Sequence, residues 1–219
     1  MKEPLTRERI AQVGIAIADA EGMDALSMRR VATTLGVATM SPYRHVADRD
    51  DLVVAMVDAI TRQTHLPDDP EVPWQELIKT MALGDWQAFV DHPWLIGVWS
   101  TPRRRVDMAS LDQLEIVLAR LDQIGMDSST SYAALIGVAG LTLGMAALSI
   151  DNPGEEIKSG IDLREWRLQA AADLDQRLTP AHGRAVRFAS ETQDHAGYTA
   201  FITALDVFIA GIEARHVPT

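Results

Sequence analysis

The 219-residue sequence has no cysteine. Disulfides, thiolate metal sites and cysteine nucleophiles are therefore excluded, which fits a reducing cytoplasm. Secretion is not expected either. The N-terminal MKEPLTRERI is charged and has no apolar run. No glycine-rich phosphate loop, HExxH or GxSxG motif occurs. His45 and Asp48 stand three apart, and Asp85, Asp91 and His92 are close in sequence. Scattered carboxylates on helix surfaces account for them. An enzyme is not expected, no residue set calls for a metal or cofactor, and no internal repeat or low-complexity tract is present.

What is there is ordinary globular composition, 47% hydrophobic and 23% charged, with a net charge of −11. So acidic a chain argues on its face against nucleic acid. The distribution softens this. Residues 1–65 hold eight Lys/Arg against nine Asp/Glu, so nearly all the negative charge lies further on. Arg29, Arg30, Arg44 and Arg49 can gather on one side of a locally basic tip.

The organising stretch is LSMRRVATTLGVATMSPYRHVADRDD, from Leu26 to Asp51. Met28, Val31, Ala32 and Leu35 fall at i, i+3, i+4 and i+7, so they share one helix face. Gly36 takes the place where a helix ends and the backbone wants positive φ. The spacing predicts a second short helix over Thr39–Val46, with Pro42 tolerated in its first turn. Helix, glycine turn, helix is the layout of a helix-turn-helix DNA reader. An exposed polar helix in an ordinary bundle is the alternative.

The residues say more than the spacing. Leu26-Ser27-Met28-Arg29, Val31-Ala32, Leu35-Gly36-Val37, Tyr43-Arg44-His45-Val46 and Asp48-Arg49-Asp50-Asp51-Leu52 resemble the DNA-binding domain of TetR-family transcriptional regulators over residues 6–60. Pro42 replaces a larger aliphatic residue, and Asp48-Arg49 replaces a common Asn-Lys. Beyond residue 60 the likeness is one of architecture, with local echoes of the tetracycline-repressor branch. It implies an all-α fold: an N-terminal three-helix helix-turn-helix domain and a larger C-terminal helical domain for ligand binding and dimerisation.

Along the chain, Thr6 can cap a first helix with Ile10, Val13, Gly14 and Ile17 on its buried side, ended at Glu21-Gly22. Asp48 caps a helix running toward His65. Leu66 to Val72 and Pro73 form a loop with three prolines. The domains are expected at 1–50 and 51–219, with this loop as a second break. Trp74, Leu77, Ile78, Met81, Asp85, Ala88 and Phe89 mark the next helix, broken at Asp91-His92-Pro93. Pro93 opens a short apolar helix, Trp94 to Ser100. A basic loop, Arg103 to Arg105, follows; a solvated turn and a second phosphate contact are its two readings. Leu111, Leu114, Leu118 and Leu121 define a helix ended by Gly125.

Ser131–Ile150 holds no charge and is apolar all round. Its length admits a membrane span, and Gly140 and Gly144 stand at the spacing of close helix approach in membranes. The flanks are acidic (Asp127, Asp151, Glu155, Glu156), with no Lys or Arg anchor nearby. A helix buried inside a soluble dimer explains it better. Asp151-Asn152-Pro153-Gly154 stops it. A polar tract with helical signal over Leu163–Leu178 and Ala181–Ser190 follows. Tyr198, Phe201, Ile202, Leu205, Phe208, Ile209 and Ile212 stripe the last helix. Ser131–Ile150 and Tyr198–Arg215 either bury within one chain or meet the same pair from a second copy. The family resemblance favours the homodimer and no membrane.

The expected DNA contacts are Arg29, Thr39, Met40, Ser41, Tyr43, Arg44, His45 and Arg49 on a double-stranded operator. Arg29 and Arg44 can reach guanine or phosphate, Met40 a thymine methyl, and Tyr43, His45 and Arg49 phosphate. The expected effector walls are Trp86, Phe89, Trp94 and Trp99, with His65 supplying a polar contact. His65 is similar in position to a ligand-contacting histidine of tetracycline repressors. About Trp99 stands where that branch has a metal-associated histidine, so a drug–magnesium complex is not expected. The whole reads as a ligand-responsive regulator, a repressor by the family's common mode. A helical small-molecule-binding module without DNA binding is the rival.

Overall fold

The computed structural model describes residues 4–67, 69–151, 159–192 and 197–216. Ten α-helices and no strand occur among them. Helix α1 (Arg7–Glu21) opens at Thr6, whose hydroxyl accepts from the Arg9 N–H at 3.2 Å. It closes at Gly22, at φ 79°. Helix α2 (Met28–Leu35) is capped by Ser27. At its end Gly36 is left-handed, at φ 65°. The Gly36 N–H donates to Thr33 O and that of Val37 to Ala32 O, at 3.1 and 3.0 Å. Those two bonds satisfy the last free carbonyls and turn the chain sharply.

The predicted second helix, Thr39–Val46, is not one. The backbone makes a turn at Thr39-Met40 and a single 3-10 turn over Pro42–Arg44. Proline lacks an N–H and its ring blocks the carbonyl four residues back. Pro42 instead opens the 3-10 turn, at the position where a missing N–H costs least, so helical backbone begins there and not at Thr39. Helix α3 (Arg49–Thr61) follows, with the Asp48 carboxylate accepting from the Asp51 N–H at 2.7 Å.

The larger part contains α4 (Trp74–Asp91), α5 (Trp94–Trp99), α6 (Met108–Gln123), α7 (Ser128–Ser149), α8 (Leu163–Asp175), α9 (Gly183–Thr192) and α10 (Tyr198–His216). One apolar core runs from Ile10 and Leu52 through Leu77 and Phe89 to Phe201 and Leu205. Trp86 stacks on Phe201 with ring centroids 4.5 Å apart, a pairing of about 1 kcal/mol beyond its burial. The expected α6 stripe is shifted. Ala109, Val117 and Leu121 are buried, while Leu111 is exposed. The stop at Asn152-Pro153-Gly154 and Asp68 of the proline loop lie outside the described residues.

Helix α7 is apolar enough to cross a membrane, yet only 28% of its most apolar window is buried within the chain. Tyr132, Ile136 and Leu148 are exposed on it. Its close contact is at Gly137, where a Cβ would strike the Phe208 ring of α10; Gly140 and Gly144 face open space.

The reader is clamped to α3 by one ion pair. Arg7 of α1 donates to both Asp51 oxygens at 2.9 and 2.7 Å and to His45 O at 3.0 Å. The Ala47 N–H also donates to Asp51, at 2.8 Å. The bidentate Arg7 guanidinium, aided by that N–H, lowers the Asp51 carboxyl to about 2. The clamp thus adds stability at pH values above the ordinary carboxylate range, and that stability is lost as pH falls from about 4 through about 2. With Arg7 partly solvated, its contribution is about 1–2 kcal/mol. Arg7→Leu is expected to lower urea-unfolding stability by about this much at pH 7. The gap from wild type should narrow steadily as the titration is repeated below pH 4.

Candidate nucleic-acid interface and ligand cavity

The segment after α2 is a surface probe. Pro42 and Val46 are buried and root it, at 1% exposure for Val46. Between them Tyr43, Arg44 and His45 point outward, and Thr39 and Met40 are exposed just before. Met40, at 69% exposure, is an apolar side chain held in water at the tip. Arg29 and Arg44 are exposed, and their guanidiniums have no hydrogen bond or ion pair among the described residues. Two unpaired guanidiniums beside a hydroxyl-bearing and aromatic tip suit phosphates and base edges.

The other cations are engaged. Arg30 pairs with Glu21 at 2.6 Å. Arg49 donates to Leu26 O and Met23 O at 3.0 and 2.9 Å, tying α3 to the loop before α2. Its predicted phosphate role therefore competes with a bracing one.

Helix α3 joins this probe to the larger domain. Near its far end Asp58 accepts from the Ala109 N–H at the start of α6, at 2.8 Å. Gln113 of α6 donates back to Thr61 O and Thr64 O, at 3.1 and 3.0 Å, filling carbonyls that a helix end leaves open. A second link runs from α1. Asp19 accepts from the Trp94 indole N–H at 2.7 Å and meets His92 Nδ1 at 2.8 Å.

Between α3, α4 and α5 lies a narrow cavity of about 10 Å³, room for about one water. Phe89 and Trp99 form its aromatic wall, edge to face with centroids 5.7 Å apart. Val57 and Leu95 line it further, and Thr61, Thr64 and Asp85 are its polar members. Of the five side chains expected to hold a ligand, these two aromatics are the ones that line it. Trp86 is turned to Phe201, Trp94 to Asp19, and His65 is exposed outside. The aromatic cluster is split because neighbours on one face of α4 meet different elements, Trp86 the Phe201 ring of α10 and Phe89 the Trp99 ring of the six-residue α5.

Thr61, Thr64 and Asp85 were missed as site residues. Asp85 carried a signal: an acid on the apolar stripe of α4, four positions before Phe89. Burial pushes its carboxyl up to about 7, opposed by Arg104 and reinforced by Asp107. Arg104 is itself spent, at 3.3 Å from Asp107 and 4.5 Å above the Trp99 ring.

A family model described as "Tetracyclin repressor-like, C-terminal domain" matches residues 66–216. The HTH-type transcriptional repressor DrrR1 of Streptomyces coeruleorubidus is 32% identical over 216 residues, covering 97% of this chain and 78% of that one. The chain belongs to the TetR family. It is a transcriptional repressor rather than an enzyme. The TetR fold extends throughout. Apo ActR from Streptomyces coelicolor superposes with a TM-score of 0.74 at 23% identity, covering 98% of this chain and 97% of ActR. The structure of ActR in complex with actinorhodin gives 0.75 at 26% identity, covering 97% of each chain. TetR-family regulators are soluble DNA-binding proteins, and α7 is no evidence for a membrane.

The cavity closes where α4 passes the end of α3. A Cβ on Gly84 would collide with the Thr64 side chain, so only glycine permits this approach. Gly84→Ala is a wedge at the hinge of this TetR-family repressor. Overpacking of this kind costs about 1–3 kcal/mol. Operator binding without any ligand is expected to weaken by about tenfold, a shift of about 1.4 kcal/mol within the usual range of coupling. Adding Thr64→Ala should restore part of it in a fluorescence-anisotropy titration.

Proposed function

We propose that this repressor acts in the cytoplasm as a homodimer on a pseudo-palindromic operator and is released when a small aromatic effector occupies the α3–α4–α5 cavity. Residues 1–50 read DNA, and residues 51–219 bind ligand and dimerise. Thr39, Met40, Ser41 and Arg44 meet base edges. Arg29, Tyr43, His45 and the free N–H groups of Arg49 hold phosphates. One reader spans few base pairs, so two must sit in successive major grooves about 34–36 Å apart.

Helix α3 carries this reading: it begins at the root of the probe and its far end walls the cavity. As it stands the cavity measures about 10 Å³, room for about one water and far below the roughly 300–1,000 Å³ of ligand sites. A multi-ring effector fits only by pressing α3 away from α4. That tilt changes the spacing of the two probes. The actinorhodin complex of ActR supports a small-molecule effector in this fold. Phe89 and Trp99 are the walls it would meet. His65, Trp86 and Trp94 act from outside, through the shape of α4 and α5.

The second copy is supported by what α7 and α10 leave uncovered. Tyr132, Ile136, Leu148 and Val207 are exposed at 56–78% on two packed helices. Ser131–Ile150 and Tyr198–Arg215 of two chains together make a four-helix interface. Ile136→Asp is expected to convert the dimer to monomer in sedimentation velocity.

The function is tested on genomic fragments selected by the wild-type protein. Tyr43→Ala and Arg44→Ala should each lower operator affinity about 10–100-fold while circular dichroism is unchanged. Phe89→Ala should keep the operator and lose release by the effector that frees wild type. Unaltered operator affinity in the two probe variants would instead mark a ligand-binding module that does not read DNA.

A further inference from the structure

The basic loop after α5 meets α3 across a cleft of about 280 Å³, close to the lower end of the roughly 300–1,000 Å³ of ligand sites. Its floor is apolar and buried or half-buried: Val53, Val54 and Val57 of α3, Val98 of α5, and Met23 from the loop before α2. Its rim is cationic, with Arg49 beside the reader and Arg103, Arg104 and Arg105 on the loop. Asp50 is the one carboxylate among the lining residues. Arg104 is matched by Asp107 at 3.3 Å, and Arg105 has Asp48 at 4.0 Å. Arg49 donates to backbone carbonyls, which carry no charge to oppose its own. Arg103 is exposed, and its guanidinium has no hydrogen bond or ion pair among the described residues. In a chain of net charge −11, this excess of guanidinium around an apolar floor is the complement of an organic anion.

We propose that the cleft binds an amphiphilic carboxylate, its apolar body on the valines and its carboxylate on the Arg103 guanidinium. A guanidinium offers two parallel N–H donors to a carboxylate, so the contact has direction as well as charge. The valines take the body of the ligand out of water. Each feature is weak alone. An exposed arginine holds a bare anion loosely, and a small apolar cleft does not choose among neutral molecules. The lining joins Met23 and Arg49, beside the reader, to the loop beyond α5, so an occupant touches both at once. Val57 also lines the α3–α4–α5 cavity, and the two spaces are neighbours on α3.

The test is calorimetric titration of the full-length protein, free of DNA, at pH 7.5 and physiological salt. The probes are 1-naphthoate, its neutral analogue 1-naphthamide, and acetate, which has the head without the body. Naphthoate is expected to bind about tenfold more tightly than the amide, with no binding of millimolar acetate. Arg103→Gln should bring naphthoate down to the affinity of the amide and leave the amide unaltered. Arg184→Gln, the same loss of charge on α9, should change neither. Arg103 is exposed and unpaired, so its variant should keep the wild-type circular dichroism. No binding of naphthoate, equal affinity for naphthoate and the amide, acetate binding as tightly as naphthoate, or equal losses in the two arginine variants overturns the proposal. So does an Arg103→Gln variant that binds naphthoate normally and loses operator affinity, which would make the loop a contact for DNA phosphate. Each of these outcomes leaves the α3–α4–α5 effector reading standing, because that cavity is lined by none of the four arginines.

Discussion

Helix α3 is held at both ends, and the rest of the molecule depends on that double grip. At its N-terminus Asp51 takes a bidentate bond from Arg7 and an N–H from Ala47. Near its C-terminus Asp58 caps α6, and Gln113 of α6 fills the open carbonyls of α3. A helix fixed at one end only would let reader and ligand domain move independently. Fixed at both, it transmits tilt as a rigid rod. Close-packed interiors resist continuous deformation, so a small displacement at Gly84 and Thr64 is carried along rather than absorbed.

The second bridge, from Asp19 to Trp94 and His92, gives that rod a fulcrum. It joins α1 to the junction of α4 and α5, beside the cavity. The reader is therefore tied to the ligand domain on two sides of the binding space. The α7–α10 pair adds a fixed base, with Phe208 seated against Gly137. Probe, rod, cavity and base follow in space as coupling between two sites requires.

Much of this was legible in the residues. Thr6 and Asp48 cap the helices that their positions predict, and Gly36 takes the left-handed turn. These are local effects, settled by side chains reaching backbone groups two or three residues away. The lining of the α3–α4–α5 cavity was half legible. Phe89 and Trp99 reach the cavity, whereas Trp86, Trp94 and His65 face elsewhere. Aromatic clustering in sequence gives the presence of large apolar surface, not the direction in which each ring points.

The sequence by itself determined the caps at Thr6 and Asp48, the left-handed turn at Gly36, and the family's layout. It also placed an acid on the apolar stripe of α4. Only the tertiary structure decided that Pro42 opens a 3-10 turn rooted by Val46, that Arg49 braces a loop, and that Asp85 stands unpaired among the described residues. The reason is range. Caps and turns are governed by neighbours along the chain. Whether a guanidinium is spent or a carboxyl is left alone depends on groups brought close from twenty or more residues away.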